Sequence, residues 1–342
     1  MTAPLLDIRN LHLTMTSFDG EAHVLNGIDL AVCRREIWGL VGETGCGKSL
    51  TGLSVSRLVT SPPARYKTGE IRFDGRDLLK LPESEMRKLR GRRIGMIFQD
   101  PTTNLNPVFR IGEQLVDVAL SAARHSPEIL GLTVEASRSE RKAAAWRLAA
   151  DMLDKVGIPD AAGRLNDYPH QFSGGMRQRV LIAMTLIGRP DLLIADEPTT
   201  ALDVSVQAQV LELFTGMVRD NDMAVVLITH NLGVVAQTCT HVAVMYAGNI
   251  VESGPVAQVI GAPAHPYTQA LLAAIPVRGV RRGELQGLAG SVPNLIAPPP
   301  GCRFAPRCAR AVPACVSVVP AALPLGSGHS AACIRLEQGG GA

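Results

Sequence analysis

Eight consecutive residues near the start of the chain have the composition of a phosphate-binding loop. The segment Gly42–Ser49 reads Gly-Glu-Thr-Gly-Cys-Gly-Lys-Ser and fits the pattern G-x4-G-K-[ST]. Glycines allow successive backbone N–H groups to turn toward phosphate oxygens, and a helix N-terminus adds its positive end. Lys48 supplies a point charge for the β- and γ-phosphates, and the Ser49 hydroxyl is a ligand for Mg²⁺. We therefore predict that all eight residues bind a nucleotide: Gly42, Glu43, Thr44, Gly45, Cys46, Gly47, Lys48 and Ser49.

Two acidic residues follow an apolar run later in the chain. Leu192–Ala195 is followed directly by Asp196 and Glu197. A buried strand would place Asp196 at its carboxyl end, beside the phosphate loop, where it can hold Mg²⁺. Glu197 would then orient the attacking water or accept its proton.

Cysteines crowd the end of the chain, where four of the seven fall in the last 41 residues. Their spacing is C-x5-C-x6-C-x17-C, without the close pair typical of structural zinc. Four thiolates suit a [4Fe–4S] cluster, and spacing alone also leaves zinc, free thiols and two disulfides open. Of the other three, Cys33 and Cys239 are predicted as buried strand-side residues, and Cys46 as a small spacer or an oxidisable thiol. The four clustered residues are Cys302, Cys308, Cys315 and Cys333.

The hydrophobic pattern predicts the elements that position these residues. Apolar runs at residues 36–41, 192–195, 224–228 and 241–245 are typical of strands in a buried, mostly parallel sheet. Residues 108–187 are mostly helical in pattern, with one amphipathic stretch at residues 140–156. Because helical patterns also separate the later strands, the fold class is predicted to be α/β.

Composition excludes several classes of protein. With 342 residues, 46% hydrophobic and 19% charged, most of the chain is expected to fold, in about two domains. A net charge of +3 gives no electrostatic case for nucleic acid or an anionic membrane as the main partner. Neither a secretory signal nor a membrane span is recognisable, which predicts a soluble, cytoplasmic chain.

A further motif completes a pattern that resembles the ATP-binding-cassette (ABC) ATPases. The segment Tyr168–Arg179 contains Phe-Ser-Gly-Gly-Met, similar to the signature motif of that family. Gln99 resembles its Q-loop glutamine, Ala201-Leu202-Asp203 its D-loop, and His230 its switch histidine. The resemblance implies that two cassettes pair head to tail, with ATP between the phosphate loop of one and the signature of the other. It implies three roles: catalysis by Glu197, His230 and Gln99; Mg²⁺ binding by Ser49, Gln99 and Asp196; and nucleotide contact by Ser173, Gly174, Gly175 and Asp203.

The family resemblance also implies a domain plan. An ABC-type P-loop ATPase core, with an antiparallel β subdomain and a helical subdomain at about 101–187, would occupy residues 1–261. A small cysteine-containing module would occupy residues 262–342. The family stacks adenine on an aromatic residue in the first strands, and here the candidates are Met15 and Phe18.

Four segments narrow the resemblance to the ATPase subunits of dipeptide, oligopeptide and nickel importers: Gln99–Pro107, Phe172–Arg179, His265–Leu272 and Gly301–Cys308. That resemblance implies a [4Fe–4S] cluster on the four cysteines, with zinc as the alternative. It implies a second, related ATPase chain, two membrane permeases and, indirectly, a substrate-binding protein, with no nucleic acid. The chain would lie on the cytoplasmic face of the inner membrane.

Other functions remain open at this point. The alternatives are transport of nickel or another small substrate, a DNA-repair type of ABC ATPase, and a redox or metal-sensing module that merely binds nucleotide. Only 124 positions separate Lys48 from Phe172, without heptads, whereas DNA-repair relatives insert long coiled coils there.

Overall fold

The computed structural model describes residues 3–100, 104–124, 126–200, 202–275 and 288–337. The chain divides into two compact units. The first comprises residues 1–81 and 226–342, and the second comprises residues 82–225. The phosphate loop, His230 and the clustered cysteines belong to the first unit, whereas Gln99, the signature segment and the acidic pair belong to the second.

An antiparallel sheet of four strands forms one part of the first unit, in the order β2-β1-β4-β5. Strands β1 and β2 make a long hairpin in which Leu6 faces Val32 and Ser17 faces Gly20. Alternate residues such as Leu6 and Ile8 are buried, which is the period expected of strands with one face against a core. The strands are β1 (Leu6–Ser17), β2 (Gly20–Val32), β4 (Ala64–Phe73) and β5 (Arg76–Asp77).

A second sheet carries the phosphate loop, and its order within the first unit is β11-β12-β10-β9-β3-β8. Strands β3 and β9 are parallel, while β10 pairs antiparallel with β9 and with β12. The prediction of a mostly parallel sheet is therefore only partly right, because the C-terminal part of the chain adds antiparallel strands to one edge. The strands are β3 (Ile37–Val41), β8 (Ala224–Ile228, whose first two residues belong to the other unit), β9 (His241–Tyr246), β10 (Asn249–Pro255), β11 (Leu323–Gly326) and β12 (His329–Ala331).

Short helices and one apolar cluster join the C-terminal segments to this sheet. Three aromatic rings belong to this cluster. The ring centroids of Tyr246 and Tyr267 are 4.7 Å apart, and the centroid of Phe304 lies 5.1 Å from that of Tyr246 and 5.3 Å from that of Tyr267. All three rings are buried, and each contributes about 2–3 kcal/mol through removal from water. The helices of the unit are α1 (Lys48–Val55), α8 (Leu232–Thr238), α9 (Val256–Gly261), α10 (Pro266–Ala273), α11 (Ala314–Ser317) and α12 (Ile334–Glu337).

The second unit is largely helical, with two parallel strands in which Ile94 faces Leu192. Ser137 begins its long helix as a capping box: its hydroxyl accepts from the N–H of Glu140, and the Glu140 carboxylate accepts from the N–H of Ser137. This helix confirms the amphipathic prediction for residues 140–156 to within two residues. The elements are α2 (Glu83–Leu89), β6 (Ile94–Ile97), α3 (Ile111–Ala123), α4 (Arg138–Lys155), α5 (Ala161–Arg164), α6 (Gly174–Ile187), β7 (Leu192–Asp196) and α7 (Val204–Asn221).

Two cysteines outside the C-terminal cluster do not lie in strands as predicted. Cys33 follows the end of β2, and Cys239 follows α8. Both are half-buried. The prediction is wrong because each cysteine stands at the point where a regular element ends.

Candidate functional site

Backbone conformation shapes the loop between β3 and α1. Gly42, Gly45 and Gly47 have φ angles of 151°, 79° and 105°, in the region that favours glycine. A Cβ added at Gly42 would stand 2.1 Å from the carbonyl oxygen of Met245, and one at Gly47 would stand 2.9 Å from that of Val24. The loop therefore lies too close to neighbouring backbone to accept other residues at these two positions.

Lys48 begins α1 and is buried. Its Nζ donates across the loop to the carbonyl oxygen of Gly42 at 2.7 Å and to that of Glu43 at 2.9 Å. The first N–H groups of α1 have no acceptor within the helix, and its dipole makes this end positive. The ammonium group, the N–H groups and the hydroxyl of Ser49 in the first turn suit a polyanion of the size of a triphosphate, together with its Mg²⁺.

Cys46 is a packed residue of this loop with no exposed surface. Its carbonyl oxygen accepts from the N–H of Gly248 at 2.9 Å, which ties the loop to the turn between β9 and β10. Burial raises the pKa of the Cys46 thiol, which disfavours the thiolate needed for oxidation. The spacer interpretation of this residue is therefore favoured over an oxidisable thiol.

His230 lies in the first unit, between the end of β8 and the start of α8, and is exposed. The N–H of Thr229 donates to the carbonyl oxygen of Leu40 at 3.2 Å, and the Asn231 side chain caps α8. These two anchors fix the backbone on both sides of His230.

The two candidates for adenine contact differ in exposure. Met15 lies in β1 opposite Ala22 and is half-buried. Phe18 lies in the turn between β1 and β2 with its ring fully exposed. A flat, exposed ring is the better surface for stacking on a base, and contact with adenine stays a prediction for both residues.

In the second unit, Asp196 and Glu197 lie where the sequence predicted, at the carboxyl end of a fully buried strand. Asp196 ends β7 and is itself buried. Glu197 has a φ of 47°, a conformation that is uncommon for residues other than glycine and clusters at active sites. Its carboxylate accepts a hydrogen bond from the Thr200 hydroxyl at 2.9 Å. Sequence patterns carry no signal for this backbone conformation.

The signature segment forms an exposed helix start. Ser173 is the N-cap of α6, and its hydroxyl accepts from the N–H of Met176 at 3.3 Å. Gly174 and Gly175 occupy the first turn, and a Cβ at Gly174 would meet no atom within 4 Å. The open backbone N–H groups at this end of a 14-residue helix can receive an anion.

Gln99 and Asp203 are the remaining predicted residues of the second unit. Gln99 is exposed, two residues after the end of β6. Asp203 caps α7, accepting from the Val206 N–H at 3.0 Å and the Ser205 hydroxyl at 2.6 Å, and these bonds lower its pKa. Its neighbour Ala201 in the D-loop lies outside the described residues, as do Pro101–Thr103 after Gln99.

The four C-terminal cysteines line one small cavity in the first unit. The cavity has a volume of about 20 Å³, which is room for about one water molecule. A cluster of four iron and four sulfide ions needs several times that space. Across the described parts of the chain, no group of three or more His, Cys, Asp or Glu residues is arranged to hold a metal ion. The prediction of an iron–sulfur cluster is therefore wrong, and the zinc alternative has no support.

The structure also answers the disulfide alternative for these four cysteines. All four are free thiols in the structure, which leaves neither of the two possible disulfides. Burial raises the pKa of Cys302 and of Cys308 and so favours the neutral thiol at both residues.

Sequence reasoning missed two residues that contact the phosphate loop. The Arg307 guanidinium bonds the Glu43 carboxylate at 2.6 and 3.0 Å, and the Tyr267 hydroxyl accepts from the Glu43 N–H at 3.0 Å. Both belong to segments that were named only for their family resemblance, His265–Leu272 and Gly301–Cys308. The sequence therefore marked these segments but did not indicate that they contact the phosphate loop.

Two sequence models of known families match the chain. The sequence model described as ABC transporter matches residues 25–200, more than half of the chain. The chain belongs to the ABC transporter family. A second model, described as the C-terminal region of oligopeptide/dipeptide transporters, matches residues 251–315. The membership makes this chain an ABC ATPase, which uses ATP with Mg²⁺.

Curated relatives resemble the chain over most of its length. It is 47% identical to the dipeptide transport ATP-binding protein DppD of Bacillus subtilis, over 89% of this chain and 86% of the relative. It is 44% identical to the oligopeptide transport ATP-binding protein OppD of the same organism, over 89% and 81%. A probable D,D-dipeptide transport ATP-binding protein of Escherichia coli, DdpD, is 47% identical over 90% and 89%.

Solved structures share the fold. The dimeric bacterial ABC transporter cassette MJ0796 matches with a TM-score of 0.61 and 25% identity, over 73% of this chain and 98% of that one. The cbiO1 subunit from Clostridium perfringens matches with a TM-score of 0.58 and 24% identity, over 76% and 92%. The cassette fold predicted from the sequence is therefore confirmed. None of the helices among the described residues combines the length and the apolar composition that a bilayer span requires.

Proposed function

We propose that this chain binds and hydrolyses ATP to energise the import of dipeptides or oligopeptides through a membrane transporter. The observation that carries the proposal is the pairing of an ABC transporter match at residues 25–200 with a peptide-transporter match at residues 251–315 on one chain. The names of its relatives favour peptides over nickel, and favour transport over DNA repair.

In this proposal the loop Gly42–Ser49 holds the phosphates. Its glycines keep the backbone close enough to present N–H groups, and Lys48 pairs with the β- and γ-phosphates. Ser49, Asp196 and Gln99 supply oxygen ligands of the type that Mg²⁺ prefers. When bound, Mg²⁺ neutralises charge on the phosphate oxygens.

Glu197 is proposed as the general base. Its left-handed backbone and its bond from Thr200 give the carboxylate a defined orientation at the end of a buried strand. His230 is proposed to contact the γ-phosphate, and its backbone is fixed on both sides by the neighbouring anchors.

Hydrolysis is proposed to need a second cassette. The exposed start of α6, with Ser173, Gly174 and Gly175, would cap the γ-phosphate of ATP held by the other chain, with Asp203 nearby. The partner is proposed to be a related, non-identical chain. Two permeases, and a substrate-binding protein acting through them, would complete the importer at the cytoplasmic face of the inner membrane.

The domain plan is proposed on the same basis. A nucleotide-binding domain at residues 1–261 would include a helical subdomain at about 101–187. A C-terminal extension at 262–342 would carry the cysteine cavity. The peptide-transporter match at 251–315 supports a boundary in this region.

The test compares Glu197→Gln with the wild-type chain, both assembled with the partner subunits. Loss of a general base lowers a rate by about 100- to 10,000-fold, so we expect near-total loss of ATP hydrolysis with ATP binding retained. Glu212→Gln, on the exposed face of α7, is the matched control and should hydrolyse ATP normally. Normal hydrolysis by Glu197→Gln would show that the base is another residue.

The substrate is tested in cells that lack the chain. Expression of the wild type should restore uptake of labelled dipeptide or oligopeptide, and Glu197→Gln should not. Restored uptake of nickel alone would contradict the peptide assignment.

A further inference from the structure

Two side chains from the C-terminal segments converge on Glu43, the second residue of the phosphate loop. The Arg307 guanidinium pairs with the Glu43 carboxylate through Nη1 at 2.6 Å and Nη2 at 3.0 Å. The Tyr267 hydroxyl accepts from the backbone N–H of Glu43 at 3.0 Å. Thus one residue of the loop is held at both its side chain and its backbone by a part of the chain more than 200 positions away.

Every N–H donor of Arg307 has an acceptor. Besides the two bonds to Glu43, its Nε donates to the carbonyl oxygen of Ala289 at 2.9 Å, its Nη2 to that of Leu288 at 3.2 Å, and its Nη1 to the Tyr246 hydroxyl at 3.4 Å. The side chain is only 5% exposed, and its charged group lies 5.7 Å from the centre of the Tyr246 ring. Such a guanidinium has one orientation, so the carboxylate that it binds is also held in one place.

Tyr267 is equally constrained. It is fully buried, and its ring packs edge-on against Tyr246 and beside Phe304. Its backbone N–H donates to His265 Nδ1 at 3.0 Å, which caps the helix that Pro266 begins. The motif around His265 thus holds the Tyr267 hydroxyl within hydrogen-bond distance of the phosphate loop.

The consequence for the loop is both mechanical and electrostatic. Lys48 donates to the Glu43 carbonyl oxygen, so Glu43 is bonded at its N–H, its carbonyl and its carboxylate. A carboxylate within a phosphate-binding loop would repel phosphate oxygens if it were unpaired. The bidentate pair with Arg307 neutralises that charge.

We propose that Arg307 and Tyr267 are positioning residues for the phosphate loop, acting through Glu43, so that the C-terminal segment sets the affinity of the cassette for ATP. The inference rests on the proposed ATP-binding function of Gly42–Ser49. It assigns a physical role to two sequence motifs that the hydrolysis mechanism does not use.

The first test measures the dissociation constant of MgATP for Arg307→Met by titration calorimetry. The uncompensated Glu43 carboxylate should raise it by about 10-fold, which corresponds to about 1.4 kcal/mol. Arg307→Lys keeps the charge but loses the bidentate geometry, and should lie between Arg307→Met and the wild type. The control is Arg310→Met, which removes an exposed cation three residues away and should leave the constant unchanged.

A second pair of variants separates positioning from folding. Tyr267→Phe keeps the ring and removes only the hydroxyl, and we expect the dissociation constant to rise about fivefold. Adding Glu43→Gln to Arg307→Met removes the unpaired charge, and should recover part of the lost affinity. At saturating ATP, kcat of the assembled transporter should change less than twofold in Arg307→Met and in Tyr267→Phe, because the effect is on binding.

The outcomes separate this inference from the proposed function. If the wild type binds MgATP, and Arg307→Met and Tyr267→Phe bind it equally well as folded proteins, the positioning role is wrong. If affinity falls only in proportion to a lower melting temperature, and Glu43→Gln restores nothing, the contacts serve folding alone and the inference is overturned. Failure of the wild type to bind MgATP would instead overturn the proposed function.

Discussion

The phosphate loop and the cysteine cavity lie in the same unit and are built in different ways. Backbone surrounds the loop: Gly42 approaches the carbonyl of Met245, and the N–H of Gly248 bonds the carbonyl of Cys46 at 2.9 Å. The cavity is bounded by side chains, including four thiols and the ring of Phe304, and encloses only about 20 Å³.

This difference shows that suitable residue types alone do not make a ligand-binding site. Ligand-forming side chains make a site only where the fold leaves space for the ligand. The phosphate loop presents helix N–H groups and an ammonium group around its glycines, whereas the cysteine cavity is filled by its own walls. We therefore expect changes at the loop to act on ATP binding and changes at the cavity to act on stability.

The largest expected effect is at the loop backbone. Gly42→Ala would place a Cβ against the carbonyl oxygen of Met245 and strain a φ of 151°, so we expect no measurable MgATP binding in a calorimetric titration. The control is the same substitution at Gly216 in α7, where a Cβ meets no atom within 4 Å. Wild-type affinity in a folded Gly42→Ala protein would refute the view that close backbone packing defines this site.

The next largest effect is a loss of stability at low pH, caused by His265, which lines the cysteine cavity. Burial lowers the pKa of His265 to about 4, below its value in the unfolded chain. The unfolded state therefore binds more protons as the pH falls below about 6.5, and roughly 3 kcal/mol of stability should be lost between there and pH 4.

The check is a pair of urea denaturation series from pH 7 to pH 4, for the wild type and for His265→Asn. Asparagine can keep the helix cap but does not titrate. The difference in unfolding free energy between the two proteins should shrink as the pH falls through this window. A difference that is independent of pH would mean that His265 is not held neutral by burial.

A smaller effect distinguishes packing from ligand binding at the cavity. Cys315→Ala removes one buried sulfur atom and should lower the unfolding free energy by about 1 kcal/mol. The dissociation constant of MgATP should stay within about twofold of the wild-type value, well below a tenfold change. A large loss of ATP affinity in this variant would couple the cavity to the loop and weaken the distinction between them.

The smallest expected effect is a gain in stability. Gly216→Ala fills open space on a helix of the second unit at a position without a positive φ. It should raise the unfolding free energy by about 0.5–1 kcal/mol, as measured by urea denaturation. A loss of stability there would show that a Cβ at this position meets a neighbour after all.

The strands and helices that hold the site could be predicted, because a strand or helix depends on residues that are close together in the sequence. The strand before Gly42 and the strand ending at Asp196 both lie where expected, and α6 falls within the stretch of residues 108–187 that is helical in pattern. Contacts between distant residues could not be predicted in this way. Arg307 and Glu43 are 264 positions apart, and no periodicity connects them.

The cysteine prediction failed for a related reason. Spacing along the chain indicates which thiols can meet, and the four do line one cavity. It gives no information on the volume between them, which depends on packing of residues such as Phe304 and Ile334. The left-handed backbone of Glu197 is likewise a property of the folded turn.

If Gly42–Ser49 is the phosphate site of an ATPase, the Lys48→Ala variant must bind MgATP much more weakly than the wild type does. Removal of the buried ammonium should weaken binding at least about 30-fold, since charge-assisted contacts to phosphate are among the strongest hydrogen bonds. Lys88→Ala, which removes an exposed lysine paired with Glu85, should bind as the wild type does. Equal affinities for Lys48→Ala and the wild type would show that this loop is not the phosphate site.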